Sequence, residues 1–303
     1  MHASFNYKGI TKIGDSTDTA IVGLTGIIHT YSNPVPQKIA SVPTQTSVID
    51  FSPATPFTAL TTAKSFKENT RRILVGGNGV LLEIDTTIGS EAVTRTFTGF
   101  TGNILRILPL NGTNYFLVGG TAKILYKFDR TLATPQAQTP VLVGDVRDLE
   151  KSRDTSGYVL LIDLSAALKI YDLTTEPYSG SSVVAVVNNP IGAGFRLVAA
   201  SSVNTQMFGM VDITPFDDAQ NFSLLGTTAS FGYRFGNLCS SGIANNIISV
   251  NTVDFFIVAC DAYGIAIINF STQVVQKAIN STTIAYDLVV YDNYRLVSVV
   301  AYE

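Results

Sequence analysis

Four aspartates occupy matching places along this chain. Each ends a short stretch rich in apolar residues, LLEID, LYKFD, LKIYD and FGMVD, at Asp85, Asp129, Asp172 and Asp212. Carboxylate oxygens are the ligands that Ca²⁺ prefers, so aspartates brought to one rim of a fold could bind Ca²⁺ or a cationic partner. In the alternative, each aspartate accepts a backbone hydrogen bond from the turn that follows it. Because the aspartate recurs in copy after copy, the pattern favours the structural role, and we predict no metal ion and no cofactor.

Few other residues could carry chemistry. Histidine, the commonest proton carrier at neutral pH, occurs only at His2 and His29. His2 is terminal, and His29 stands between Ile28 and Thr30 on a predicted strand, where we expect its side chain to face solvent. The chain contains no Ser-His-Asp order, HExxH motif, phosphate loop or Cys-His cluster. We therefore predict no catalytic residue.

Two Gly-Gly pairs follow apolar stretches, in ILVGGNG and YFLVGGT. The sequence GGNG at 76–79 is similar to part of a nucleotide-binding loop, but no helical pattern follows it to supply an anion-binding N-terminus. Glycine and asparagine accept positive φ, which tight hairpins require. The Gly-Gly pairs are therefore predicted to form the hairpins between neighbouring strands.

The chain has two cysteines, Cys239 and Cys260. We interpret them as buried small apolar side chains, with a disulfide between them as the alternative. Two cysteines with no histidine nearby cannot form a tetrahedral metal site.

The elements that must position these residues come from a repeat. A short apolar stretch that closes on a turn-forming polar residue occurs six times, at 26–33, 80–87, 124–131, 168–175, 208–215 and 265–272. A strand precedes each copy, for example YFLVGG or FRLVAASS. A weaker strand such as AVTRTF, TPVLVG or VVQKAI follows, and a further strand such as ILRILPL or AYDLVVYD lies upstream. Each unit therefore has four strands. Separately, the mixed-charge segment RDLEKSRD at 147–154 is predicted to be a solvated loop or edge.

The length of the unit indicates the architecture. The copies recur at intervals of roughly 40–57 residues, and four strands with short turns fill such an interval. Units of this size are typical of β-propeller blades, and no segment shows the long helical pattern of armadillo-type repeats. We predict one all-β domain over residues 1–303, a seven-bladed propeller of four-stranded antiparallel blades. Its last blade is expected to be incomplete or closed by the N-terminal segment HASFNY.

Composition agrees with this fold and limits the partners. Hydrophobic residues make up 46% of the chain and charged residues 14%. The net charge of −3 provides no basic field for a phosphate backbone, so nucleic acid is not expected as a partner. No apolar run reaches the length that a membrane span needs, and the N-terminal stretch lacks the pattern of a signal peptide.

The segment at 254–303 resembles the LVIVD-type repeat, a WD40-like propeller family. The stretches that carry the resemblance are FIVACD and GIAIINFS, which stand where that family has paired inner strands, and NYRLVSVVAYE, which matches the start of the next unit. LLEID, KIYDL and GMVDI are partial copies. The chain has no tryptophan, so the Trp-Asp dipeptides of WD40 blades are absent. The resemblance implies the fold and brings no shared catalytic residues.

Three functions are compatible with such a domain. The first is a non-catalytic scaffold that binds proteins or neighbouring subunits within a larger extracellular, surface or virion assembly. The second is a hydrolase or lyase at the mouth of the central channel, for which Tyr171 and Arg196 are the available candidates. The third is a carbohydrate- or Ca²⁺-binding, lectin-like propeller. A deep polar pocket on the axis would favour the enzyme, and an apolar surface patch would favour the scaffold.

Overall fold

The architecture was analysed in a computed structural model of the chain. It describes residues 7–16, 18–23, 27–32, 44–50, 60–151, 158–163, 167–173, 183–188, 194–200, 207–213, 220–226, 231–235, 239, 244–250, 255–260, 264–269, 272, 274–279, 284–290 and 297–302. All regular elements in these ranges are β-strands, which confirms the all-β prediction. Within them, no helix is long and apolar enough to cross a bilayer.

The strands form seven antiparallel sheets, six with four strands and one with two. The first sheet contains β1 to β4, at Tyr7–Lys12, Thr19–Gly23, Ile27–Ser32 and Thr44–Asp50. The second contains β5 to β8, at Leu60–Lys64, Arg72–Gly77, Leu81–Asp85 and Ala92–Thr96. The third contains β9 to β12, at Ile104–Pro109, Tyr115–Gly120, Leu125–Asp129 and Pro135–Gln138.

The remaining sheets follow the same order along the chain. The fourth contains β13 to β16, at Asp148–Lys151, Val159–Ile162, Ala167–Tyr171 and Val183–Asn188. The fifth contains β17 to β20, at Gly194–Ala200, Met207–Ile213, Gln220–Gly226 and Phe231–Phe235. The sixth contains β21 to β24, at Ala244–Val250, Phe255–Cys260, Gly264–Asn269 and Val274–Ile279. The seventh pairs β25, Ile284–Val290, with β26, Val297–Tyr302.

The burial of each strand follows its place in the sheet. The second strands read as continuous apolar runs because both faces are covered: β6, β10 and β14 are buried at nearly every residue. The fourth strand β8, by contrast, is mostly exposed. Six apolar clusters fill the spaces between successive sheets, from the first to the seventh. The sheets therefore pack face to face, with their fourth strands outermost.

The first strands of the sheets contact one another in sequence order. Contacts join β1 to β5, β5 to β9, β9 to β13, β13 to β17, β17 to β21 and β21 to β25, and β25 in turn contacts β1. The series of contacts thus returns to its starting sheet. The N-terminal strand β1 pairs with β2 in the first sheet and does not extend the β25–β26 pair, and residues 1–6 lie outside the described ranges.

The order of strands corrects the reading of the fifth unit. Asp212 was predicted to close a third strand, but it lies in β18, the second strand of its sheet, where it pairs with Phe195 and Asn221. The stretch FRLVAASS was predicted as a second strand and belongs to the first, β17. An apolar stretch that ends in Asp does not show which neighbouring strands it will pair with. In this sheet the stretch predicted to be the third strand is the second.

The outer strand of the third sheet also differs from its prediction. The strand was expected over TPVLVG, yet β12 covers Pro135–Gln138. The reason is the length of its partner, because Leu125 is the first residue of β11 and exchanges hydrogen bonds with Thr139 at 2.9 and 3.1 Å. No β11 backbone remains to pair with the residues that follow Thr139.

The Gly-Gly pairs lie inside strands rather than in turns. Gly76 pairs with Leu81 in the β6–β7 ladder, and the turn is made beyond it, where Gly79 has φ +66°. Glycine is needed at the pairs because the next sheet, or the connection that leads into it, packs directly against them. A Cβ atom on Gly76 would lie 2.5 Å from Ile104 Cγ2, and one on Gly119 would lie 2.3 Å from Val146 Cγ1. The predicted hairpin turn is present but lies at 78–80, and the placement of the Gly-Gly pairs in the turns is wrong.

This packing predicts the effect of a single methyl group. We expect Gly119→Ala to lower the free energy of unfolding by about 1–3 kcal/mol, because the new Cβ overlaps Val146 and the sheets must separate. The midpoint of denaturant unfolding measures this loss. Trimming the neighbour with Val146→Ala should relieve the overlap, so the double variant should lose less than the sum of the two single variants. Additive losses would show that the two residues do not meet.

Candidate functional site

A β-bulge recurs near the start of the first strands. In six of the seven sheets the pairing of the first strand with the second skips one residue there, and β13 alone pairs without a break. A bulge bends a strand and re-aims the side chain beside it. The side chains that follow the skip in β5, β9, β21 and β25 are Thr62, Arg106, Asn246 and Asp287, and all four line one cavity.

This axial cavity lies where the first strands meet. It has a volume of about 230 Å³ and is lined by residues from the first strands of six sheets. Besides the residues that follow the bulges, its polar lining comprises Lys64, Asp148, Glu150 and Asn245. A polar cavity where the first strands meet is the feature that would favour an enzyme, so the partners of its carboxylates bear on its chemistry.

The carboxylate of Asp148 joins three sheets. Its Oδ1 accepts hydrogen bonds from Arg106 Nε of β9 at 2.8 Å and from Leu149 N at 3.0 Å. Its Oδ2 accepts one from Val198 N of β17 at 2.9 Å. Asp148 is only 5% exposed, so these three donors replace the water that a carboxylate would otherwise bind. Both oxygens are therefore committed to holding the third, fourth and fifth sheets together.

Asp287 repeats this arrangement between the sixth, seventh and first sheets. Its Oδ1 accepts hydrogen bonds from Asn246 Nδ2 of β21 and from Leu288 N, the latter at 2.8 Å. Its Oδ2 accepts one from Ile10 N of β1 at 3.1 Å, across 277 residues of sequence. In both cases the previous sheet supplies a side-chain donor and the next sheet supplies a backbone N–H. The repetition indicates a structural link between first strands rather than a reactive group.

Two arginines complete the links. Arg196 Nε donates to Ala244 O at 2.7 Å, which connects β17 to β21. Arg106 donates through its terminal nitrogen to Asn245 O at 3.3 Å, which connects β9 to the non-adjacent strand β21. Together with the two aspartates, these bonds connect the first strands from the third sheet through the seventh and on to the first.

The aspartates selected from the repeat cap turns. Asp85 Oδ1 accepts a hydrogen bond from Thr87 N at 2.8 Å, and Asp129 Oδ1 accepts one from Thr131 N at 2.8 Å. These are the backbone bonds that the structural alternative predicts. The side chains of Asp212 and of His29, like the whole of His2, lie outside the described part of the chain.

No described residues form a metal site with these aspartates. Among the residues that the structure describes, no group of three or more His, Cys, Asp or Glu side chains is placed to hold a metal ion. Asp85 and Asp129 end the third strands β7 and β11, and Asp172 directly follows β15. None of the three lines the axial cavity. Ca²⁺ binding at this rim stays the untested alternative to the structural role.

The two candidates for an enzyme are not brought together. Tyr171 ends β15, is buried among the apolar residues between the third and fourth sheets, and does not line the axial cavity. Burial and the negative charge of Asp163 raise the pKa of its hydroxyl to about 12, so the group stays protonated at neutral pH. Arg196 lies in β17 and its Nε bonds to a neighbouring backbone carbonyl. Both side chains contribute to structure at separate places.

The linking aspartate of the fourth sheet was missed by the sequence reasoning. Asp148 lies in the segment at 147–154 that was predicted to be a solvated loop or edge, yet it starts β13 and is buried. A signal was present, because RDLE and YDLV both place an aspartate directly before a leucine near the start of a first strand. Leu149 and Leu288, the two leucines, are buried as well.

Known proteins add no family to this description. No protein-family model matches the chain, and no curated protein matches it either.

The hydrogen bonds of Asp148 predict that even the conservative replacement by asparagine destabilises the fold. We expect Asp148→Asn to cost about 2–4 kcal/mol of stability, nearly as much as Asp148→Ala. Both carboxylate oxygens face N–H donors, and the amide can offer only one oxygen. The midpoint of chemical unfolding measures the loss. Asp145→Asn is the control, since that carboxylate pairs with a half-exposed arginine at 3.2 Å and should cost less than about 1 kcal/mol. Equal, small losses in both variants would contradict the role given to Asp148.

Proposed function

We propose that the chain is a single seven-bladed β-propeller that acts as a non-catalytic scaffold for a protein partner. Seven sheets in chain order and first-strand contacts that return from β25 to β1 support this architecture. On this proposal the two-stranded seventh sheet is the incomplete last blade. The likeness of its last fifty or so residues to the LVIVD-type repeat belongs to the same proposal.

The partners of the two axial aspartates carry the non-catalytic part of the proposal. A general acid or base must exchange protons with a substrate within hydrogen-bonding reach. Asp148 and Asp287 instead accept hydrogen bonds on both oxygens from neighbouring first strands. Since their lone pairs hold the sheets together, the axial cavity supports a structural role better than the hydrolase or lyase alternative.

An exposed apolar segment supports binding to a protein. Val141 and Val143 are 73% and 74% exposed in the connection from β12 to β13. The segment is held on both sides, because Leu142 N donates to Lys123 O at 2.7 Å and Val146 N donates to Gly120 O at 3.0 Å. Two ordered valines that face solvent are more readily explained by a partner that covers them than by the fold itself. The segment at 139–147 is therefore the proposed contact surface.

The disulfide supports an oxidising compartment. Cys239 and Cys260 are bonded to each other and buried in the cluster between the fifth and sixth sheets. Both side chains are buried, but they are bonded to each other, so the alternative is correct and the interpretation as two unbonded apolar side chains is wrong. Disulfides persist mainly in extracellular and other oxidising settings. This agrees with a place in an extracellular, surface or virion assembly.

Site-specific photo-crosslinking tests the contact surface. With benzoylphenylalanine at position 141 or 143, irradiation in the native cells should give an adduct of one defined mass. The same probe at Gln136, an exposed residue of the outer strand β12, is the matched control and should give none. Adducts of equal yield at both places, or none at 141 and 143, would contradict a partner on this segment.

A further inference from the structure

A second cavity lies between the second and third sheets, away from the axial one. Its volume is about 350 Å³, within the range of small-ligand sites. Three arginines and two glutamates line it: Arg72, Arg95, Arg130, Glu68 and Glu83. None of these residues belongs to the axial cavity or to the proposed contact surface. The distribution of their charges indicates what the cavity could bind.

Arg130 compensates both glutamates. Its Nε donates to Glu83 Oε1 at 2.7 Å, and one terminal nitrogen lies 2.6 Å from Glu68 Oε1. The guanidinium is also placed over the ring of Phe66, with its central carbon 4.6 Å from the ring centroid. Arg130 is 8% exposed and Glu83 is 3% exposed, so this cluster is an internal structure.

The pKa values agree with charged partners in this cluster. Burial alone would raise the pKa of Glu68, but hydrogen bonds from Thr70 and Arg130 and the charges of Arg130 and Arg72 together lower it. The pKa of Arg130 is raised, because its two glutamate partners outweigh the effect of burial. The Arg130 guanidinium and the Glu68 carboxylate are therefore both ionised at neutral pH.

Arg95 and Arg72 supply the positive charge that remains. Three arginines face two glutamates, so the lining carries one excess positive charge. Arg72 lies 3.8 Å from Glu83 Oε2, beyond hydrogen-bonding distance, and that oxygen already accepts a bond from Thr94 Oγ1 at 3.0 Å. The Nε of Arg95 is buried and has no hydrogen-bond partner among the described residues. A buried unpaired donor in a polar cavity requires an explanation, and a bound acceptor is the simplest one.

We propose that this cavity is a binding site for a small ligand that carries a carboxylate or sulfate group. The planar guanidinium fork matches the paired oxygens of both groups, and charge-assisted bonds of this kind are the strong ones. Arg95 binds the oxyanion from inside the cavity. Arg72, whose side chain is 43% exposed, binds it from the mouth. The buried Arg130 cluster holds the two sheets in the arrangement that forms the site.

Calorimetric titration with sulfate and with glucuronate, at constant ionic strength set by chloride, tests the site. We expect at least one of the two to bind with one-to-one stoichiometry and to raise the melting temperature. Binding of sulfate would mean that the oxyanion suffices, and binding of glucuronate alone would mean that the site also needs the body of the ligand. Arg95→Gln should weaken binding by about tenfold or more, because a charge-assisted hydrogen bond is lost. Arg72→Gln, at the exposed mouth, should weaken binding as well. It replaces Arg95→Gln as the test if that variant folds poorly.

Arg147→Gln is the matched control. Arg147 also has a buried Nε without a partner among the described residues, but it does not line this cavity. Its replacement should leave the affinity unchanged. Failure of the unaltered protein to bind either anion would overturn the proposal. Unchanged affinity in both Arg95→Gln and Arg72→Gln, or equal weakening by Arg147→Gln, would also overturn it.

Discussion

Hydrogen bonds that two buried aspartates accept hold the first strands of neighbouring sheets in place. A carboxylate is costly to remove from water, and it is tolerated inside a protein only when donors surround it. Asp148 and Asp287 meet this condition by accepting a bond from the sheet before, from the following residue and from the sheet after. Because each link spans three sheets, loss of one aspartate would leave unpaired donors in two neighbours. The apolar clusters then fill the spaces that these links define.

The same links explain the chemistry of the centre. The axial cavity is polar, yet its aspartates are used within the fold, and Arg106 donates to Asp148 and to two backbone carbonyls. Arg95, whose buried Nε has no hydrogen-bond partner among the described residues, lies elsewhere, between the second and third sheets. Solvent-facing apolar side chains lie on the connection from β12 to β13. The linking aspartates therefore lie apart from both the buried unpaired donor and the exposed valines.

The local pattern of apolar residues in the sequence was sufficient to predict many of the strands. Second strands such as YFLVGG are apolar on both faces, and AYDLVVYD was predicted as a strand, which β25 confirms. The pattern failed where pairing depends on distant residues. MFGMVDI looks like a third strand until its pairing with β17 and β19 places it second. The roles of the aspartates were harder to predict from the sequence. Asp85 accepts a hydrogen bond from its own turn, whereas Asp287 is buried and accepts one from a donor 277 residues away, which no local pattern reveals.

Hydrogen exchange at the amide of Ile10 tests the central claim most directly. That N–H is bonded to Asp287, so it reports whether the last sheet and the first are joined. Mass-spectrometric exchange on the peptide that contains Ile10 should be slow in the unaltered protein. It should become fast in Asp287→Ala, while the peptide around Val198, whose amide depends on Asp148, keeps its protection. Fast exchange at Ile10 in the unaltered protein, or a rate that Asp287→Ala does not change, would contradict the joining of the two ends.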